Sequence, residues 1–133
     1  TVSAELHSII RSETDASRTV LESTLYSRKA GFAETPSRMI APAVSELVRN
    51  ILKYAGSGEI RIRRIRGSGG HGIEIEALDQ GPGIEDCEAA MRDNYSSGGT
   101  LGMGLPGVKR LMDDFSLEST PGEGTRVTAR KWI

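Results

Sequence analysis

The sequence contains little that would tie the chain to an oxidising compartment, a membrane or a polyanion. Of 133 residues only Cys87 is a cysteine, so no internal disulfide can form, and no zinc-type spacing of Cys and His is present. No uninterrupted apolar run approaches the length of a membrane span. The 17 basic residues nearly balance the 18 acidic ones. We therefore expect a cytoplasmic protein, without a leader segment, that binds neither nucleic acid nor a membrane surface.

Glycine is scarce in the first part of the chain and abundant in the rest. Only Gly31 falls within the first 55 residues, while the other 15 of the 16 glycines follow Ala55. With 37% hydrophobic and 26% charged residues, the composition is that of one globular domain over 1–133. The distribution predicts a helical first half, and a second half of sheet and specialised loops.

The first half contains the pattern of a strand followed by two helices. The strand is expected at 3–11, and the first helix at Thr14 or Asp15, with Leu21 and Leu25 beside Val20 on its apolar face and its end at Gly31. The second helix is expected from 35, where Thr-Pro is a typical helix start, to about 55. Pro42 within it predicts a kink or a fresh helix start.

Two alternating segments, 59–66 and 72–79, are typical of a hairpin, and their alternating arginines and glutamates predict a solvated, charged face. A short helix at about 85–93 and a second one from Leu105 to Asp114 are expected next. Two last strands, FSLEST and TRVTARKW, are separated by the turn PGEG.

The segment GTLGMGLPG contains the pattern G-x-G-x-x-G at Gly102, Gly104 and Gly107. A dinucleotide-binding loop needs a strand before it and a parallel strand with an acidic residue after its helix, and neither is predicted here. A P-loop needs Gly-Lys followed by Ser or Thr, which is also missing. A glycine-rich segment that leads into a helix N-terminus nevertheless suits phosphate, because free N–H groups and the helix dipole converge there. The alternative is an ordinary connection.

Glu46 and Asn50 lie four residues apart in the second helix, and Lys53 follows within another turn. An amide oxygen there can bind a divalent ion, while the carboxylate accepts a proton from a nucleophile. The alternative is a hydrogen-bonded pair on a solvated helix face.

Asp79 ends an apolar strand and opens the segment DQGPG. Its carboxylate can accept a hydrogen bond from the exocyclic amine of adenine, which distinguishes adenine from guanine. The alternative is a tight turn. A second glycine turn, GEGT, opens the last strand at Gly124 and Thr125.

The order E-x-x-x-N, D-x-G-x-G, G-x-G and G-T over residues 45–125 resembles the N, G1, G2 and G3 boxes of the GHKL ATPase and kinase superfamily. The resemblance implies an α/β two-layer sandwich, the Bergerat fold, in which helices cover one face of a mixed sheet and ATP lies beneath a lid at about 93–103. It implies that Asn50 binds Mg²⁺ and that Asp79 and Thr125 read adenine. The other implied nucleotide contacts are Lys53, Gly81, Gly83, Gly102, Gly104 and Leu105.

Within the superfamily, Glu46 favours a hydroxyl acceptor, since a histidine nucleophile needs no base whereas a hydroxyl must lose its proton. The runs SELVRN, DQGPGI and GLPGVKRLMDDFSLES resemble the RsbT-type switch kinases of the bacterial stressosome. That resemblance implies ATP-dependent phosphorylation of Ser or Thr on a STAS-domain partner, and release of the kinase to a downstream phosphatase or effector. The alternatives are an anti-sigma factor kinase that binds a sigma factor, a non-catalytic ATP-binding module, and a detached histidine-kinase domain.

Overall fold

The structure is a computed structural model that describes residues 5–32, 34–67, 70–82 and 104–132. The helices in these ranges are α1 (Glu13–Lys29), α2 (Glu34–Asn50) and α3 (Gly104–Leu111), and a π-helical turn (Ile51–Ala55) continues α2. The strands are β1 (Glu5–Ile10), β2 (Gly58–Gly67), β3 (Gly70–Asp79), β4 (Asp114–Thr120) and β5 (Gly124–Trp132).

The strands form a five-stranded sheet in the order β1-β2-β3-β5-β4. Helices pack on one face of it, where the hydroxyls of Ser8 on β1 and Thr19 on α1 are hydrogen-bonded at 2.6 Å. The predicted α/β two-layer class is confirmed, although every pairing between the described strands is antiparallel, where a mixed sheet was expected. Buried aliphatic residues between the layers include Ile10, Ile60, Ile62, Ile73, Ile75, Val44, Leu47 and Val108.

Helix α1 begins earlier than the predicted Thr14 or Asp15, because Ser12 caps it. The Ser12 hydroxyl accepts a hydrogen bond from the Asp15 N–H at 3.2 Å, and Asp15 in turn accepts one from the Arg11 N–H at 2.9 Å. This backbone hydrogen bond is the main reason that the pKa of the Asp15 carboxyl lies below its ordinary value. The local hydrogen bonds thus fix both the start of the helix and the chain that leads into it.

The predicted apolar face of α1 is wrong at Leu21 and Leu25, whereas Val20 packs against the core as expected. Leu21 and Leu25 are 61% and 47% exposed, while Thr19, Ser23 and Ser27 are fully buried. Each of these three hydroxyls donates to a carbonyl oxygen of α1 three or four residues earlier, so their burial leaves no donor unsatisfied. Short side chains let the helix approach its neighbours closely, which a hydrophobicity pattern does not reveal.

Helix α2 begins at Glu34, so Thr35 and Pro36 lie within its first turn. It passes through Pro42 without a break, and the fresh helix start considered at that position is not found. Pro42 itself is exposed. The loss of a backbone hydrogen bond there is offset by the burial of the opposite face of the helix, which includes Ile40, Ala43, Val44 and Leu47.

The hairpin and the last two strands have nearly the predicted bounds, whereas α3 ends at Leu111, before the predicted Asp114. The predicted helix at 85–93 lies outside the described residues. The charged sheet face differs from expectation at Glu74, which is only 3% exposed. Burial raises the pKa of Glu74, but hydrogen bonds from Arg130 and Arg63, each 2.8 Å long, outweigh this effect and hold the pKa below its ordinary value of 4.5.

Candidate active site

The buried carboxylate of Glu46 lies at the N-terminus of α3. Glu46 is 7% exposed, and its Oε2 accepts a hydrogen bond from the Gly104 N–H at 3.1 Å. Its Oε1 lies 3.3 Å from Nη1 of Arg49, one turn further along α2. An anion at a helix N-terminus is favoured by the free N–H groups and by the dipole. The sequence alternative of an exposed Glu46 bonded to Asn50 is therefore wrong, because α3 packs over this face of α2.

Gly104 and Leu105 open α3 and are buried together with the next three residues of the helix. Gly104 has a φ of +64°, in the left-handed region that favours glycine. Gly107 lies inside α3, as the sequence predicts. The two glycines therefore have different roles, since Gly104 shapes the start of the helix whereas Gly107 is part of the packed helix.

Asn50 is the last residue of α2, where the helix widens into the π-helical turn. Its side chain is partly exposed and makes no hydrogen bond with any residue in the described part of the chain. Lys53 is exposed within that turn, and its Nζ lies 5.2 Å from the centroid of the Tyr54 ring. Single π-helical turns are rare and often occur at functional sites. An amide at such a turn that bonds to none of the described residues is available to a ligand.

Asp79 is the last residue of β3 and is paired with Thr125 on β5. Its Oδ1 accepts a hydrogen bond from the Gly81 N–H at 2.9 Å, whereas no donor among the described residues reaches Oδ2. The Thr125 hydroxyl lies 3.0 Å from the Ser119 hydroxyl on β4. One Asp79 oxygen thus closes a local turn, and the other remains an acceptor beside a threonine hydroxyl.

Two glycines are required around Asp79 by close backbone contacts. A Cβ on Gly81 would lie 2.6 Å from Cβ of Ala55, at the end of the π-helical turn. A Cβ on Gly124, whose φ is +130°, would lie 2.1 Å from the Asp79 carbonyl oxygen. These contacts bring the π-helical turn, the end of β3 and the start of β5 together in one region.

The structure thus brings Glu46 to Gly104, and Asp79 to Gly81 and Thr125. Gly83, Gly102 and the predicted lid at 93–103 lie outside the described residues. Arg49, which contacts Glu46, was not among the predicted site residues, although its i+3 spacing from Glu46 was a usable signal.

No group of three His, Cys, Asp or Glu side chains that could hold a metal occurs among the described residues. Within the same ranges, no helix is long and apolar enough to cross a membrane.

The chain matches the histidine kinase-like ATPase domain family over residues 11–131, and it belongs to that family. It is accordingly an ATP-using domain, as the motifs predict.

Among its relatives is the serine/threonine-protein kinase RsbT of Bacillus subtilis (strain 168). The two are 51% identical over 106 residues, which cover 80% of each chain. The anti-sigma F factor of Thermoanaerobacter sp. (strain X514) is 39% identical over 98 residues, which cover 71% of this chain and 68% of the relative. The predicted resemblance to RsbT-type kinases and the predicted enzyme class, a protein serine/threonine kinase, are confirmed.

Two solved structures share the fold. A crystal structure of RsbU and RsbW domains from Mycobacterium tuberculosis aligns with a TM-score of 0.68 and 16% identity, covering 97% of this chain and 32% of that one. The SiaB–SiaC complex of Pseudomonas aeruginosa aligns with a TM-score of 0.56 and 13% identity, covering 97% of this chain and 89% of that one. At these identities the likeness establishes the two-layer fold alone.

Proposed function

We propose that the chain phosphorylates a serine or threonine of a STAS-domain partner and is released by that phosphorylation to a downstream phosphatase or effector. The observation that carries this proposal is the buried carboxylate of Glu46 at the N-terminus of α3, 3.1 Å from the Gly104 amide nitrogen. It places a proton acceptor beside a helix N-terminus, where phosphate binding is favoured, and phosphoryl transfer to a hydroxyl needs both.

Adenine recognition is assigned to the region around Asp79. Its Oδ2, which no described donor reaches, would accept the exocyclic amine, with the Thr125 hydroxyl beside it. Gly81 and Gly83 would leave room for the ring. The close contact of Gly81 with Ala55 supports this role, because a larger residue would push the π-helical turn away from Asp79.

The phosphates are assigned to the other end of the site. Gly102, Gly104 and Leu105 would present backbone N–H groups at the start of α3, and Lys53 would add positive charge. The segment at about 93–103 would close over the nucleotide as a lid within a single domain of residues 1–133.

Asn50 fits a magnesium ion, because its amide makes no hydrogen bond with the described residues and amide oxygens are suitable hard ligands. Magnesium would supply charge neutralisation on the phosphates during the transfer.

Glu46 is assigned the role of base. The acceptor hydroxyl would lose its proton to the Glu46 carboxylate as its oxygen bonds to the γ-phosphorus. The bond between that phosphorus and the β,γ-bridging oxygen breaks at the same time, which leaves ADP and a phosphoserine or phosphothreonine. The proton then passes from Glu46 to water.

The anti-sigma F relatives favour a second candidate, a kinase of the same fold that also binds a sigma factor directly. The single cysteine supports a cytoplasmic setting for either role.

Incubation with γ-labelled ATP and a STAS-domain protein encoded beside this chain, followed by acid treatment, tests the proposal. We expect acid-stable phosphate on the partner. Acid-labile phosphate would indicate a histidine kinase, and nucleotide binding without transfer would indicate a non-catalytic module. Retention of the chain by an immobilised sigma factor would favour the second candidate.

A further inference from the structure

The Glu46 carboxylate contacts a backbone N–H of α3 with one oxygen and an arginine side chain of α2 with the other. Its Oε2 accepts from the backbone N–H of Gly104 at the start of α3. Its Oε1 contacts the guanidinium of Arg49, which belongs to the same helix as Glu46. The Glu46 side chain is 9% exposed, whereas the Arg49 side chain is 45% exposed.

We propose that Arg49 is a positioning residue that holds the Glu46 carboxylate in its catalytic orientation when the Gly104 amide turns to the nucleotide. The inference rests on the proposed function, in which the N–H groups at the start of α3 bind the phosphates. The single N–H proton of Gly104 serves one acceptor well, so a phosphate oxygen that takes it weakens the contact with Oε2. The contact with Arg49 does not depend on α3 and persists.

The geometry suits orientation rather than substrate binding. An i, i+3 spacing on α2 places the two side chains side by side on the helix surface, and the planar guanidinium has several donors in a fixed arrangement. A carboxylate that accepts the proton through Oε2 while Oε1 stays on Arg49 keeps its plane fixed during the transfer. Small displacements of a catalytic group cost about 100-fold in rate.

The test compares Arg49→Ala and Arg49→Lys with the wild type for ATP affinity and for the kcat and KM of phosphoryl transfer. Arg66→Ala is the matched control. Arg66 is exposed near the C-terminal end of β2 and makes no ion pair with the described residues. We expect Arg49→Ala to lower kcat by about 10- to 100-fold while ATP affinity stays within about threefold. Arg49→Lys should recover part of the loss, and Arg66→Ala should match the wild type.

A double-mutant cycle separates positioning from structural support. If Arg49 acts through Glu46, then Arg49→Ala added to Glu46→Gln should change the residual turnover by less than about twofold. Three results would overturn the inference and leave the proposed function standing. They are additive losses in the double variant, a wild-type kcat for Arg49→Ala, and parallel losses of ATP affinity and turnover that lysine does not rescue. A wild-type chain that transfers no phosphate would overturn the proposed function as well.

Discussion

Replacement of Gly124 by alanine tests whether the close contact between β5 and Asp79 builds the adenine end of the site. The φ of +130° at Gly124 is strained for any L residue, which costs about 1–3 kcal/mol. The added Cβ would also lie 2.1 Å from the Asp79 carbonyl oxygen and 3.0 Å from its carbonyl carbon. Because these are backbone atoms, no rotamer change relieves the overlap, and overpacking adds about 1–3 kcal/mol. The expected loss is therefore about 2–6 kcal/mol.

Gly122, in the same turn, is the matched control. Its φ is +83°, but nothing lies within 4 Å of an added Cβ, so Gly122→Ala should cost only the backbone strain, about 1–2 kcal/mol. Urea unfolding gives both free energies, and titration with a fluorescent ATP analogue should show weaker binding for Gly124→Ala than for Gly122→Ala. Equal stability losses in the two variants would show that the contact between Gly124 and Asp79 adds no cost beyond the backbone strain.

The ion pairs of the buried Glu74 carboxylate, and the contrast between an exposed and a buried leucine, give two further predictions. Glu74→Gln should lower the free energy of unfolding at pH 7 by about 1–2 kcal/mol, a modest loss because Arg63 and Arg130 are 55% and 46% exposed. Since the folded-state pKa of Glu74 is depressed, the stabilisation by its carboxylate is present above about pH 4.5 and is lost as the pH falls through the folded-state pKa. Urea titrations from pH 7 to pH 3 measure this loss. A difference in free energy of unfolding between the wild type and Glu74→Gln that stays constant over this range would contradict the assignment. Leu21→Ala should cost less than about 0.5 kcal/mol and Leu47→Ala about 2–5 kcal/mol, because Leu21 is 61% exposed and Leu47 1%. Similar losses in thermal or urea unfolding would disprove the exposed placement of Leu21.

Much of the sheet and part of the site could be predicted from local patterns. The alternation in 59–66 and 72–79 determines which side chains share a face, and β2 and β3 pair accordingly. A tight turn was the alternative interpretation of DQGPG, and the Asp79 side chain does accept from the Gly81 N–H. These features depend on neighbours in the sequence, which is why they were predictable.

The features that were missed depend on contacts between distant segments. Glu46 is buried because α3, more than 50 residues later, packs against α2 and donates through Gly104. Leu21 and Leu25 of α1 are exposed because buried Thr19 and Ser23 satisfy their hydroxyls within the helix and occupy the closely packed face instead. Continuity through Pro42 depends on the same kind of burial along α2. A hydrophobic period cannot reveal any of these outcomes, because it contains no information about the partner surface.

The Glu46→Gln variant shows whether Glu46 accepts the proton of a hydroxyl during phosphoryl transfer. The glutamine keeps the side-chain volume and an acceptor for the Gly104 N–H, so the fold should be unchanged. The ATP affinity should stay within about threefold of that of the wild type. Transfer of labelled phosphate to the partner should fall by about 100- to 10,000-fold, the range for loss of a general base. A Glu46→Gln chain that binds ATP and transfers phosphate at nearly the wild-type rate would exclude Glu46 as the base.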